Sequence, residues 1–385
     1  MKGWQTKRLG DVLDIQNGYA FDSKSFSITG NMPLIRIRDL KQGVDTETRY
    51  TGSYDARYVV RRGDLLIGMD GEFGCFEWRG NDALLNQRVC RLEGFSSNLL
   101  PRFLFYGVNS HLKAIEEITG YTTVKHLSSK QILDINFLLP PLSEQERIVG
   151  ILDQAFDGIA TAKANAEKNL RNARGIFESH LDAVFSQRGE GWVEGKIGEI
   201  CTLKSGTTVD PGLERPTGDF PYLKVADMSY PGNETYIVGS SRYLNGCDIG
   251  RNAVFPEGTT IFPKRGGAIL TNKKRLTTIP ICTDLNIMGV IPGQHLVPRL
   301  IFYYFIGLDL RRIGSGSSIP QINNYDIEPL IIHYPRDKAL QESLISRLDS
   351  IRDETRHLEA VYQKKLAALD DLKKSLLDQA FTGNL

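Results

Sequence analysis

Two stretches of the chain each carry a single apolar stripe on an otherwise polar background. In the first, Ile148, Leu152, Ala155, Ile159, Ala162, Ala166, Leu170, Ala173, Phe177, Leu181 and Val184 recur at alternating steps of three and four. In the second, Leu344, Leu348, Ile351, Thr355, Leu358, Tyr362, Leu366, Leu369, Leu376 and Ala380 keep the same rhythm. The spacing predicts helices over about 143–186 and 338–381, each roughly 65 Å long at about 1.5 Å per residue. Outside them the pattern shortens to runs such as Pro33-Leu34-Ile35-Arg36-Ile37-Arg38-Asp39, whose alternation reads as a strand leaving a turn.

The segments between the helices echo each other in order. Gly3-Trp4 returns as Gly191-Trp192, Leu9-Gly10-Asp11 as Ile197-Gly198-Glu199, and Pro33 to Leu40 as Pro221 to Met228. Leu100-Pro101-Arg102-Phe103 is answered by Val297-Pro298-Arg299-Leu300, and Gly120 to Pro140 by Ser315 to Pro335. Two copies, each far longer than the roughly 20–50 residues of a solenoid repeat, indicate a duplicated domain. The predicted division is a first head at 1–142, a spacer helix at 143–188, a second head at 189–335 and a distal helix at 336–385. Equal helix lengths and the pseudo-twofold repeat imply that the helices pair and hold the heads apart.

Composition narrows this picture without redirecting it. Hydrophobic residues at 41% with 24% charged fit a folded globular chain, which excludes a disordered tail or a membrane bundle. Five scattered cysteines without a C-x-x-C pair fit neither a disulfide framework nor a zinc site, so a cytoplasmic location is expected. No apolar run approaches the roughly 18 residues of a membrane span. The net charge of +1 confines any nucleic-acid surface to local patches.

Catalytic signatures are missing. The sequence has no G-x-x-x-x-G-K-[ST], H-E-x-x-H or G-x-S-x-G, and its Pro-Pro pair, Pro140-Pro141, lies in Leu-Pro-Pro-Leu rather than in a methyltransferase signature. Gly68-Met69-Asp70-Gly71-Glu72 reads as a turn between strands, and the six histidines show no ligand spacing. The expectation is a non-enzymatic chain with no metal site and no bound cofactor.

DNA reading needs cations for phosphates and Arg, Lys, Asn, Gln, Ser or Thr at base edges. Each copy offers three such places. The first is Arg36, Arg38 and Lys41, with the two arginines expected on one strand face, mirrored by Lys224. The second is Asn86-Gln87-Arg88 in one copy and Lys264-Arg265 with Lys273-Lys274-Arg275 in the other. The third is Thr122, Thr123 and Lys125 against Ser317, Ser318 and Gln321. Solvated loops would account for any one of them; as a set they differ between copies while the framework matches, as two readers of two different sequences would.

The chain resembles the specificity subunit of Type I restriction-modification systems along nearly its whole length. Three features carry the resemblance: the Gly-Trp openings followed by Asn17-Gly18 and Ser205-Gly206; the junction Leu139-Pro140-Pro141-Leu142-Ser143-Glu144-Gln145-Glu146-Arg147-Ile148; and the closing Leu377-Asp378-Gln379-Ala380-Phe381-Thr382-Gly383. The second junction, Tyr334 to Glu342, lacks the double proline and the full Ser-Glu-Gln-Glu-Arg run.

The resemblance implies an α+β fold of two homologous mixed α/β target-recognition domains separated by two antiparallel coiled-coil helices. Each head would read one half of a bipartite DNA site, the gap being on the order of one 10 bp turn. It further implies two modification (methyltransferase) subunits docked on the helices, and restriction subunits joining them. S-adenosylmethionine, ATP and Mg are expected on those partners. Gln145, Arg147, Ile151, Phe156 and Ile176 are the docking candidates. The competing readings are a stand-alone DNA methyltransferase or nuclease, and a coiled-coil scaffold unrelated to DNA.

Overall fold

A computed structural model describes residues 3–119, 125–250, 253–313 and 320–385. The chain packs as two units, 1–165 with 365–385, and 166–364, so each long helix contributes to both. The helices run Leu142–Phe185 and Lys338–Thr382. They are antiparallel, with Lys163 paired to Asp370 in the first unit and Arg174 to Glu359 in the second. Along the first stripe Ile148, Leu152, Ile159, Ala166, Ala173, Leu181 and Val184 are buried, while Leu358 in the second stays exposed.

In the first unit, strand Gln5–Arg8 pairs antiparallel with Asn136–Leu139, which pins the start of the head beside its exit into the helix. A four-stranded antiparallel sheet follows the spatial order Asp14–Asn17, Val89–Glu93, Leu65–Gly68, Cys75–Glu77. A five-stranded sheet of short strands contains the parallel pairing of Leu34 with Leu84. The second unit repeats the plan: Trp192–Lys196 pairs with Ile331–Pro335, Cys201–Ser205 with Ile287–Pro292, and Tyr222 lies parallel to Cys282. The core of unit 1 gathers Phe103, Leu104, Val108 and Phe137 of the head with Ile148 and Leu152 of the first long helix and Ala380 of the second. Unit 2 exchanges the helices' roles: Ile345 and Leu348 of the second helix take the places near the junction, and Leu181 and Val184 come from the first. Full burial of an Ile or Leu side chain contributes roughly 1.5–3 kcal/mol, so each head is fastened to both helices mainly by apolar packing.

A buried glutamine explains the junction motif. The Gln145 Oε1 accepts from the Leu100 N–H, and its Nε2 donates to the carbonyls of Asn98 and Pro140. Gln341 repeats every bond, accepting from the Val297 N–H and donating to the carbonyls of His295 and Pro335. The second junction thus keeps this clamp without the double proline. Gln145 is fully buried, so its expected role in docking a partner is corrected: it locks the helix start to its own head.

Among the described residues no helix is long and apolar enough to cross a membrane. Cys75, Cys90, Cys201 and Cys282 are buried free thiols, and burial raises Cys90 to about 12.

Candidate nucleic-acid interface

Three distant chain segments converge on one edge of each head, and a glycine makes the approach possible. A Cβ on Gly18 would fall 2.0 Å from the Asn86 carbonyl oxygen, and one on Gly206 2.1 Å from that of Asp284. Without side chains there, the Tyr19 N–H reaches the Leu85 carbonyl and the Thr207 N–H that of Thr283, both at 2.9 Å. This closeness is the physical content of the Asn17-Gly18 and Ser205-Gly206 motifs.

In the first head the Met69 N–H donates to the Arg88 carbonyl, the Leu127 N–H to that of Met69, and the Gln87 N–H to that of Tyr19. This backbone lattice presents Asn17, Asp70, Gln87, Arg88, His126 and Ser129 together. Asp70 organises the group: one carboxylate oxygen takes Arg88 Nη1 at 2.6 Å, the other faces His126 Nδ1 at 2.7 Å. Ser129 Oγ donates to Asn17 Oδ1. Arg88 remains exposed, so it is oriented by the aspartate without being covered.

The second head builds the same lattice with different side chains. The Lys264 N–H donates to the Asn286 carbonyl, the Ile322 N–H to that of Lys264, and Arg265 and Gln321 form a β-bridge where Asp70 and His126 form theirs. Gln321 Nε2 donates to Asn323 Oδ1. A cation, Arg265, therefore stands where the first head has an anion, and a neutral amide where it has an imidazole. The two edges share backbone geometry and differ in hydrogen-bonding character, as different base sequences would require.

Several expected contact residues lie elsewhere or are covered. Strand Met32–Ile35 ends before Arg36, because the Asp39 carboxylate accepts from the Arg36 N–H and starts the turn Ile37–Asp39. Arg36 and Arg38 therefore do not share a strand face. The Arg36 guanidinium lies 5.4 Å from the centre of the Phe26 ring. Lys41 is exposed and pairs with Glu72, whereas Lys224 pairs with Glu214.

Lys264 is covered and donates to Ser205 Oγ, its pKa lowered by burial and by Arg265. Lys274 is only 3% exposed and donates to the Leu308 carbonyl and Asn272 Oδ1; burial lowers it to about 8. Arg275 is half-buried and turned onto the carbonyls of Met228 and Lys274. Lys125 is half-buried against Glu116. As phosphate contacts Lys264 and Lys274 are corrected, because their ammonium groups serve their own head. Lys273 bonds Ser229 Oγ, while Asn86 sits half-buried beside Arg88. Thr122, Thr123, Ser317 and Ser318 lie outside the described residues.

Sequence reasoning did not single out Asp70 as the partner of Arg88, or His126 as the second partner of Asp70, since a turn explained the first and no ligand spacing marked the second. The aligned repeat offered the signal: Asp70 matches Arg265 and His126 matches Gln321, one reversal of charge and one change of hydrogen-bonding group within a matching framework.

On the helices, Ile151 is 38% and Ile176 44% exposed, and Arg147 is exposed but bonds Glu144 and the Leu385 carbonyl. Phe156 is half-buried. It packs edge-on to Tyr106, with the Lys373 ammonium 4.9 Å from its ring centre.

The family model of the Type I restriction modification DNA specificity domain matches residues 1–170 and 189–367. The EcoBI specificity subunit of Escherichia coli is 40% identical over 186 residues, covering 48% of this chain and 39% of that relative, so this match spans less than half of either. The MjaIX specificity subunit of Methanocaldococcus jannaschii is 21% identical over all of this chain and 94% of its own length. Two solved structures share the fold. One, from work on complex assembly and conformational transition of the type I R-M system, gives a TM-score of 0.76 at 18% identity over 100% of this chain and 99% of that one. The other, the HsdS subunit from Thermoanaerobacter tengcongensis, gives 0.57 at 17% identity over 100% and 98%.

Proposed function

This chain belongs to the Type I restriction-modification DNA specificity domain family, and on that premise we propose that each of its two heads reads one half of a bipartite DNA site. The observation that carries the reading is the duplicated edge: one backbone lattice presents Asp70, Arg88 and His126 in the first head, and Arg265, Asn286 and Gln321 in the second. An exposed arginine held at one nitrogen by a carboxylate keeps further N–H donors for a base edge, and Arg to guanine is the commonest specific contact in a major groove. Arg88 is the base-reading residue of the first head, and Arg265 with Gln321 are those of the second.

The chain serves as a non-catalytic reader. Two modification subunits dock on the long helices, where Ile151 and Ile176 expose apolar surface, and restriction subunits complete the complex. S-adenosylmethionine, ATP and Mg belong to those partners. Partner surfaces closing around the duplex supply the phosphate contacts that a net charge of +1 leaves to others.

Co-expression with the modification subunit, followed by mapping of methylated adenines in the host genome, tests the reading. A two-part motif with a constant gap is expected. A continuous motif would contradict the division of labour, and the absence of any motif would favour a scaffold.

A further inference from the structure

A second duplicated device lies where each head meets the helix that leaves it. In unit 1, Asp153 of the first long helix accepts from Arg102 Nε at 3.0 Å and Nη2 at 2.9 Å, and from the Tyr106 hydroxyl. Arg102 and Tyr106 stand on the head helix Pro101–Thr119, and Arg102 Nη1 reaches back to Glu77 of the sheet at 2.8 Å. Phe156 covers Tyr106 edge-on, and Lys373 of the second long helix covers Phe156. The wiring therefore runs from sheet to head helix to both long helices.

Unit 2 repeats it with the helices exchanged. Asp349 of the second long helix accepts from Arg299 and from the Tyr303 hydroxyl, both on the head helix Pro298–Gly307. Arg299 also meets Tyr236 of the sheet at 3.4 Å. Arg352 lies 5.5 Å from the Tyr303 ring centre, and Phe177 of the first long helix meets that ring edge-on.

Apolar packing fastens the heads but is non-directional, so it resists separation better than rotation. A carboxylate receiving a planar guanidinium and a hydroxyl from one head helix fixes direction, because charge-assisted bonds weaken steeply as they bend. Burial, and then the bond to aspartate, push both tyrosine hydroxyls above their ordinary range, so they remain donors. We propose that these two Arg-Tyr-Asp latches are positioning devices that fix the angle of each head on its helix and so restrict the site to one gap length. The inference rests on the bipartite reading proposed above.

The test uses the full chain with its modification subunit and maps methylated adenines for Asp153→Asn and Asp349→Asn, with Tyr106→Phe and Tyr303→Phe as milder variants. Both half-site sequences should persist while discrimination against gaps one base pair longer or shorter falls on the order of ten-fold; Asp153→Glu, which keeps a carboxylate, should restore much of the single gap. A motif that keeps its single gap in all four variants, whether methylation stays full or declines, overturns the proposal, as does a change in the bases read. A wild-type map without two half-sites would instead remove the functional reading on which it rests.

Discussion

At the scale of single residues, charge along the chain is a poor guide to which cations face outward. Lys273-Lys274-Arg275 forms one of the densest cationic runs, yet Lys274 is covered and Arg275 is turned onto backbone carbonyls. Lys274 illustrates the energetic consequence. Burial, opposed by Asp309 and reinforced by Arg311, lowers its folded-state pKa to about 8 from an ordinary 10.5. Between those values the unfolded chain binds the proton more tightly, so stability rises with pH across that window, and the cost of the buried charge is fully present below about pH 8. Denaturant unfolding at pH 7.5 and 10 should show the wild type gaining on the order of 2 kcal/mol over Lys274→Met on going to the higher pH. A difference independent of pH would show that the ammonium is not the group penalised. Arg88 stood out in the sequence as a candidate because its neighbours Asn86 and Gln87 are base-competent, and the fold leaves it exposed. Its partner Asp70 did not stand out, since an aspartate in a turn has an ordinary local explanation and only tertiary pairing reveals the second.

At the scale of elements, the long helices were legible almost to the residue, because a stripe sustained over so many turns has one cheap solution. The short strands were harder. Alternation carried the expected strand through Arg38, but the chain turns after Ile35 because Asp39 satisfies the Arg36 N–H locally, and a two-bond cap leaves no hydrophobic signature. The junction motif was legible as a motif, but its Gln145 faces inward rather than toward a partner. Gln145 and Gln341 each bridge one N–H and two carbonyls between a head and the helix leaving it. Replacing either with Ala orphans buried backbone groups, and should cost its own unit about 2–4 kcal/mol in denaturant unfolding. Gln145→Glu should be nearly as damaging, since a carboxylate cannot donate to the Asn98 and Pro140 carbonyls. Tolerance of either change would show that the clamp contributes little.

At the scale of the whole molecule, the internal repeat was the most informative feature of the sequence. The structure deepens it: sheet plan, glutamine clamp, aspartate latch and glycine-dependent edge all occur twice, with the long helices exchanging roles between units. A framework shared by the two heads and divergent edge chemistry together argue for two readers of one design. The most direct measurement replaces residues 1–142 with the corresponding head of a relative that reads a different target, then maps methylated adenines made by the full chain with its modification subunit. One half-site should be replaced while the other half-site and the gap stay unchanged. A change in both halves, or an altered gap, would contradict the assignment of one head to one half-site.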